Sequence, residues 1–242
     1  MNKRTVVVFS GAGLSADSGI QTFRDKDGLW ENHRVEDVAE HQSWFKNKEL
    51  VLRFYEERFN KYKDCKPHKG HEALVKLEEQ FNVIHVTQNV DSLLEDAGCS
   101  NVTHLHGTLK QNKCEWHSDI INDDRFVCDY KSSITEPVVV GDTCPKCGGQ
   151  MRPDIVWFNE MVHHTHEDLM NKVREVKYNN GVFISAGTSG NVYPAAFYIS
   201  MFSQVHNKYI VDKNPQQIAN YTLIEGAASE TLPVLVDRLL NQ

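Results

Sequence analysis

Short apolar runs recur along the chain, separated by polar segments punctuated with glycine. Residues 5–9, Thr-Val-Val-Val-Phe, are short, β-branched and aromatic, and read as a buried strand. Residues 81–87 form a second strand and 101–105 a shorter third. Runs at 181–186, 209–211 and 221–224 predict three more, and residues 155–158 are again apolar. Helical periodicity fills the intervals. Residues 35–80 read as helical, with Leu50, Phe54, Phe59 and Tyr62 spaced among charges over 49–62. Pro67 and Gly70 break that pattern, and 71–80 resumes it with Leu74 and Leu77 on one face. Residues 92–97 make a short helix stopped by Gly98, and 167–178, 194–205 and 230–240 supply the rest. Strands alternating with helices predict an α/β fold: a mostly parallel sheet with helices on both faces.

Polar or glycine-rich groups sit just after the strands, following Phe9, Thr87, Leu105, Ala186, Val211 and Ile224. In open α/β sheets ligands bind outside the carboxyl ends of the strands, so this repetition predicts a nucleotide site. Gly11, Gly13 and Ala16 after the first strand fit the small-residue pattern of a dinucleotide turn. The first glycine permits a tight turn, and the second lets a diphosphate approach the backbone. The third small residue lets the next helix pack closely, and its free N–H groups favour anionic oxygens. A tight turn with no ligand has the same pattern. The stretch beyond departs from a dehydrogenase: the helix at 14–20 is too short for a normal crossover, and residues 23–30 read as a polar loop with aromatic punctuation. Such a loop would serve as a mobile flap over a nucleotide.

Composition narrows the choices. With 242 residues the chain has room for one or two domains and a sizeable core. The net charge is −7, from 26 basic and 33 acidic residues, which argues against a broad nucleic-acid footprint. No apolar run approaches the roughly 20 residues of a membrane span. The N-terminal run is too short for a signal peptide. The expectation is a cytoplasmic, soluble chain, and a monomer, with no nucleic-acid or membrane partner.

Six cysteines in such a chain point to metal or free thiols rather than disulfides. Four of them fall in the polar stretch 108–152, which has too little apolar surface to fold without a staple. Cys144 and Cys147 form a knuckle followed by two glycines, and Cys114 lies upstream. His117, not cysteine, stands three residues after Cys114, so either His117 or Cys128 completes a tetrahedral set. A zinc held here, far from the strand ends, would be structural. Cys65 and Cys99 read as reduced thiols, and the histidines at 163, 164 and 166 as a solvated loop.

His104 and His106 lie two apart at a strand end, and only one of them is expected to face the cleft while the other packs or is solvated. His106, at the strand end and beside Gly107, is the candidate general base. Gln88, Asn89, Val90 and Asp91 offer amides and a carboxylate with no nucleophile. They suit a cradle for a carboxamide and a ribose, although Asn89 or Asp91 at a helix start equally suits capping.

Taken in order, these motifs resemble one family, the sirtuins. The resemblance runs from Val6 to Leu239. It is carried by Gly-Ala-Gly-Leu-Ser-Ala-Asp-Ser-Gly-Ile-Gln-Thr-Phe-Arg from Gly11, Thr-Gln-Asn-Val-Asp from Thr87, and His-Leu-His-Gly from His104. Cys-Pro-Lys-Cys from Cys144, Arg-Pro-Asp-Ile-Val-Trp-Phe-Asn-Glu from Arg152 and Gly-Thr-Ser-Gly from Gly187 complete it. The resemblance implies a Rossmann-like NAD-binding domain over 1–30, 81–107 and 153–242, a helical insertion over 31–80 and a zinc-binding module over 108–152. It implies removal of acyl groups from protein lysines, with NAD as co-substrate. The acyl oxygen attacks the ribose carbon, nicotinamide leaves, and His106 deprotonates a ribose hydroxyl. The products are lysine, nicotinamide and 2′-O-acyl-ADP-ribose. By the same matching, Asn89 joins His106 in catalysis. Gly11, Ala12, Gly13, Phe23, Arg24 and Trp30 cover the cofactor. Gln88, Asn89, Val90 and Asp91 hold ribose and nicotinamide. Gly187, Thr188 and Ser189 meet the diphosphate and adenosine, and Asp212, Lys213, Asn214 and Ala228 the adenine end. Val156, Trp157 and Phe158 hold the peptide.

The helix at 49–62 carries Tyr55 and Arg58, an i, i+3 pair on one face. It looks like the Tyr-x-x-Arg pair of the branch that removes succinyl and malonyl groups, where hydroxyl and guanidinium hold a carboxylate. A surface Tyr and Arg on an amphipathic helix would look the same. The chain departs from the family at Gln21, where proline is frequent, at Asn159, where glycine is common, and at Asp212, where asparagine is frequent. The Asp212 carboxylate would favour NAD over NADP. Transfer of ADP-ribose to protein, and a non-enzymatic NAD- or acyl-lysine-binding module, are the competing readings.

Overall fold

The computed structural model describes residues 3–21, 29–30, 33–162, 166–188 and 195–242. In chain order the elements are β1 (Thr5–Ser10), α1 (Ala12–Ser15), a 3-10 turn (Ala16–Ser18), β2 (Leu29–Trp30), β3 (His33–Arg34), α2 (Val35–Val38), α3 (His41–Lys46), α4 (Lys48–Tyr62) and α5 (Lys69–Leu77). There follow β4 (Asn82–Thr87), α6 (Leu93–Ala97), β5 (Val102–His104), β6 (Gly107–Cys114), β7 (Lys131–Ser133), β8 (Met151–Ile155) and α7 (His166–Tyr178). The last are β9 (Val182–Ala186), α8 (Ala195–Met201), β10 (Asn207–Asp212), β11 (Thr222–Glu225) and α9 (Ala228–Leu240).

Six strands form one parallel sheet in the order β11-β10-β9-β1-β4-β5. Its side chains alternate. Val6 and Val8 face a layer holding Leu74, Leu77, Leu232 and Leu235 of α5 and α9, whereas Val7 and Phe9 face Val173, Val176, Tyr198 and Ile199 of α7 and α8. Burial on both faces is why β1 reads as an unbroken apolar run rather than an alternating one. The chain leaves β1 toward β4 and β5, then returns to the other side through β9, β10 and β11. Strand order therefore reverses beside β1, between its carboxyl end and that of β9, and an open crevice is expected at such a point.

A second sheet, β7-β6-β8, is antiparallel and packs with α4. Val51, Leu52, Phe54 and Tyr55 share one core with Leu109, Cys114, Cys128, Met151, Ile155 and Trp157. The helical stretch expected at 35–80 is thus four helices divided between two cores: α4 with the small sheet, α5 with the large one. The helix expected at 14–20 is α1 followed by a 3-10 turn that ends at Gly19, whose φ is 91°. The closing helix begins at Ala228, two residues earlier than Glu230, and Pro233 sits inside it. Gly98 ends α6 with φ 108°, the left-handed cap that glycine accommodates.

Candidate active site

The crevice beside β1 is made by two loops in close contact. Gly13 N–H donates to Gly187 O at 2.8 Å, and Gly11 N–H to Ala186 O at 3.1 Å. A Cβ on Gly13 would come within 2.7 Å of Gly187 Cα, and one on Gly187, at φ 63°, within 2.1 Å of Leu14 N. Neither position admits a side chain, so glycine is required by the approach of the loops themselves.

Polar groups from β4 converge on the same place. Gln88 Nε2 donates to Thr188 Oγ1 at 3.1 Å. Asn89 Nδ2 donates to Gly11 O at 3.1 Å and to Ser15 Oγ at 2.9 Å. Ser15 Oγ in turn donates to Asp91 Oδ2 at 2.9 Å, and Asp91 Oδ1 accepts from Leu93 N–H at 3.1 Å. Burial raises the Asp91 carboxyl above the usual carboxylate range, against these hydrogen bonds. Ser15, quoted in the first motif but given no role there, therefore ties Asn89 to Asp91. Asp91 thus accepts from the first N–H of α6, and Asn89 reaches the loop after β1.

His106 and His104 occupy different electrostatic settings. His106 Nδ1 lies 3.0 Å from Gln88 O, an acceptor, so this nitrogen carries the proton and Nε2 keeps its lone pair. No described residue bonds to Nε2. Burial holds the His106 pKa down, with the Gln88 carbonyl pulling the other way. His104 donates from both nitrogens, to Asn89 O at 2.7 Å and to Glu95 Oε1 at 2.7 Å. Burial lowers its pKa but the Glu95 carboxylate overcomes this and raises it, so His104 favours the cation. His104 clamps the Asn89 backbone while His106 clamps that of Gln88.

The segment after β8 completes the cleft. Val156 N–H donates to His106 O at 2.9 Å, and Phe158 pairs with the 39–41 segment through Phe158 N–H to Ala39 O and His41 N–H to Phe158 O. Arg152 and Glu160 brace this turn. Arg152 Nη1 and Nη2 lie 2.6 and 2.9 Å from the Glu160 oxygens, and Glu160 Oε2 accepts from Trp157 N–H at 3.0 Å. Burial opposes ionisation of Glu160, but the Arg152 guanidinium wins and holds its carboxyl at about 2. Both residues stood in the sequence motif without a role. Asn159 has φ 69°, which explains the frequent glycine there; asparagine is among the side chains that tolerate this region.

Tyr55 and Arg58 are buried, at 2% and 1% exposure, which rules out an exposed helix face for them. The Arg58 guanidinium stacks 3.5 Å over the Phe54 ring, and Tyr55 Oη accepts from Trp157 Nε1 at 2.9 Å. After β10, Asp212 Oδ1 accepts from Asn214 N–H and Lys213 Nζ reaches Asp17, and Ala228 begins α9. Phe23, Arg24 and Ser189 lie outside the described residues, as do the histidines at 163 and 164; Trp30 ends β2.

In the small sheet, the Sγ atoms of Cys114, Cys128, Cys144 and Cys147 all lie within 4.8 Å of one another. Cys114 and Cys147 are 3.3 Å apart, Cys128 and Cys144 3.7 Å. Four thiolates at about 2.3 Å from zinc would lie about 3.8 Å apart, so the set fits that ion. His117 is outside it, with Nδ1 2.9 Å from Asp119 Oδ1. Of the two candidates left open by the sequence, Cys128 is the one that joins the cluster. Its partnership with Cys114 is masked in sequence by the intervening loop, across which His117 bridges to Cys128.

A parallel sheet with a glycine-lined crevice at its reversal point, and a smaller lobe stapled by four cysteines, define a dinucleotide-binding α/β protein with a structural metal module. The Sir2 family model matches residues 11–194. The chain is 40% identical to the NAD-dependent protein deacylase SIR2rp3 of Leishmania major, covering 99% of this chain and 97% of that one. It is 44% identical to an NAD-dependent protein deacylase of Bdellovibrio bacteriovorus over 82% of this chain and 80% of the relative. A crystal structure of a Sir2 homologue in complex with NAD superposes with a TM-score of 0.80 at 35% identity, covering 99% of this chain and 90% of that chain. The chain belongs to the Sir2 family.

Proposed function

We propose that this protein is an NAD-dependent protein lysine deacylase that accepts acetyl groups and, through Tyr55 and Arg58, succinyl and malonyl groups. The observation that carries the reading is His106: an imidazole held through Nδ1 by Gln88 O at 3.0 Å, whose Nε2 bonds to no described residue. When bound, NAD supplies an electrophilic ribose carbon and a nicotinamide that leaves without needing an acid. The chain supplies the rest. Gln88, Asn89 and Asp91 would orient ribose and carboxamide, and Gly11, Ala12, Gly13, Gly187 and Thr188 would receive the diphosphate. Asp212, Lys213, Asn214 and Ala228 would meet the adenosine end. Phe23, Arg24, Trp30 and Ser189 are proposed to close over the cofactor, on the family resemblance alone. Val156, Trp157 and Phe158, braced by Arg152 and Glu160, present backbone to an acyl-lysine peptide. His106 Nε2 takes a proton from a ribose hydroxyl and thereby makes it a nucleophile. The site would lie between the large-sheet unit and the smaller unit of β6, β7 and β8 with α4; β8 carries that smaller unit to Ile155, beyond the boundary expected at 152. Cys114, Cys128, Cys144 and Cys147 would hold zinc as a staple, remote from the chemistry. Among the described residues no helix is long and apolar enough to cross a membrane. A cytoplasmic monomer is the proposed state.

The test is release of nicotinamide from NAD with acetyl- and succinyl-lysine peptides. Nicotinamide should appear only when an acylated peptide is present, and the peptide should lose the acyl mass. A peptide gaining the mass of ADP-ribose would favour the transferase reading instead.

Two further outcomes are expected. Because burial holds His106 below the ordinary histidine value of about 6.5, the neutral base persists as pH falls. The acid limb of kcat/KM, which reports the free enzyme, should therefore have its midpoint below pH ~6.5. A midpoint near pH ~7.5 would contradict the His106 assignment. The purified chain should hold about one zinc per protein by elemental analysis. Cys128→Ser should lower both that ratio and the melting temperature, whereas His117→Ala should keep the metal. The reverse pattern would overturn the four-cysteine set.

A further inference from the structure

The pair Tyr55 and Arg58 is only as selective as the direction of its hydrogens. The contact that sets this direction for Tyr55 comes from outside its helix. Trp157 Nε1 lies 2.9 Å from Tyr55 Oη, and the bond is buried. An indole N–H can only donate, so the phenol oxygen is the acceptor. A phenol that accepts on one side carries its own hydrogen on the other. No described residue accepts from that hydrogen, and Arg58, one turn on, has donors only. Burial raises the Tyr55 phenol far above its ordinary value, so it stays a donor throughout the working range. Two neighbouring donors suit an occupant made of acceptors, and a carboxylate is one.

Trp157 is itself fixed on three sides. The Arg152 guanidinium lies 3.3 Å over its ring, the Trp44 ring centroid is 5.5 Å away, and its backbone N–H is bound by Glu160. The indole is therefore a rigid donor.

We infer that Trp157 is a positioning residue for acyl-chain selectivity: its indole N–H turns the Tyr55 hydroxyl so that the hydroxyl donates to the terminal carboxylate of a dicarboxylic acyl-lysine. This rests on the carboxylate-binding reading of Tyr55 and Arg58. It also links the segment that lies along the peptide to the helix that selects the acyl group. Acyl preference would thus be set across two elements.

The experiment is a double-mutant cycle on Tyr55→Phe and Trp157→Phe. The readout is the ratio of kcat/KM for matched succinyl- and acetyl-lysine peptides. Phenylalanine at 157 keeps a ring beneath Arg152 but removes the N–H. Thermal melts and the zinc content check that each variant is folded. Trp157→Phe should lower the succinyl-to-acetyl ratio about fivefold through KM for the succinyl peptide, a fraction of the effect of deleting a bond to a charged group. In the Tyr55→Phe background, Trp157→Phe should change the ratio no further. If Tyr55→Phe lowers the ratio and Trp157→Phe leaves it unchanged, or the two effects simply multiply, the positioning role is overturned and the carboxylate reading survives. If neither Tyr55→Phe nor Arg58→Met moves the ratio, the carboxylate reading fails and this inference fails with it.

Discussion

His106→Asn is expected to lower kcat by about 10²- to 10⁴-fold while leaving the affinity for NAD within a few-fold, the range typical of losing a positioned general base. The reasoning is local. Asparagine keeps a donor for Gln88 O, which His106 Nδ1 meets at 3.0 Å, so the β4 end should stay in place. What disappears is the basic Nε2. The glycine contacts that shape the crevice, Gly13 N–H to Gly187 O and Gly11 N–H to Ala186 O, do not involve residue 106. NAD binding by calorimetry alongside turnover separates the two. Loss of binding in step with loss of kcat would mean that His106 holds the cofactor rather than moving a proton.

Arg58→Met is expected to cost succinyl turnover far more than acetyl turnover. A hydrogen bond to a charged group contributes about 1.5–3 kcal/mol, so losing one lowers the succinyl-to-acetyl ratio by roughly 10- to 150-fold. Methionine has similar length and can keep apolar contact with the Phe54 ring now stacked by the guanidinium at 3.5 Å. The variant should therefore fold, which a thermal melt checks. Equal losses on both peptides would show that Arg58 supports the lobe rather than reading the acyl group.

The sequence displays those parts of the molecule whose physics is local. A strand buried on both faces is a short β-branched run, and Val6 through Phe9 announced β1 without ambiguity. The crevice was legible because parallel strands all end on one side, so Gly11, Gln88, His106 and Gly187 each followed an apolar run. The charge states of His104 and His106 were not legible. They depend on Glu95 and on the Gln88 and Asn89 carbonyls, which spacing in the chain does not place. Cys128 stayed undecided for a related reason. Its pairing with Cys114 closes around a loop, and a residue three positions on, His117, had the right chemistry to compete. The burial of Arg58 also escaped the pattern of 49–62, because an amphipathic helix does not reveal which polar residues a second lobe covers. Only the core shared by α4 and the small sheet decides that.

The central claim is that the glycosidic bond of NAD is the bond this protein breaks, and that its cleavage is coupled to deacylation. The most direct measurement is mass-spectrometric counting of products from one succinyl-lysine peptide with and without NAD. The account predicts one nicotinamide and one acyl-ADP-ribose for every lysine freed, and no free lysine when the dinucleotide is withheld. Deacylation at the same speed without NAD, or nicotinamide released with the peptide still acylated, would contradict it.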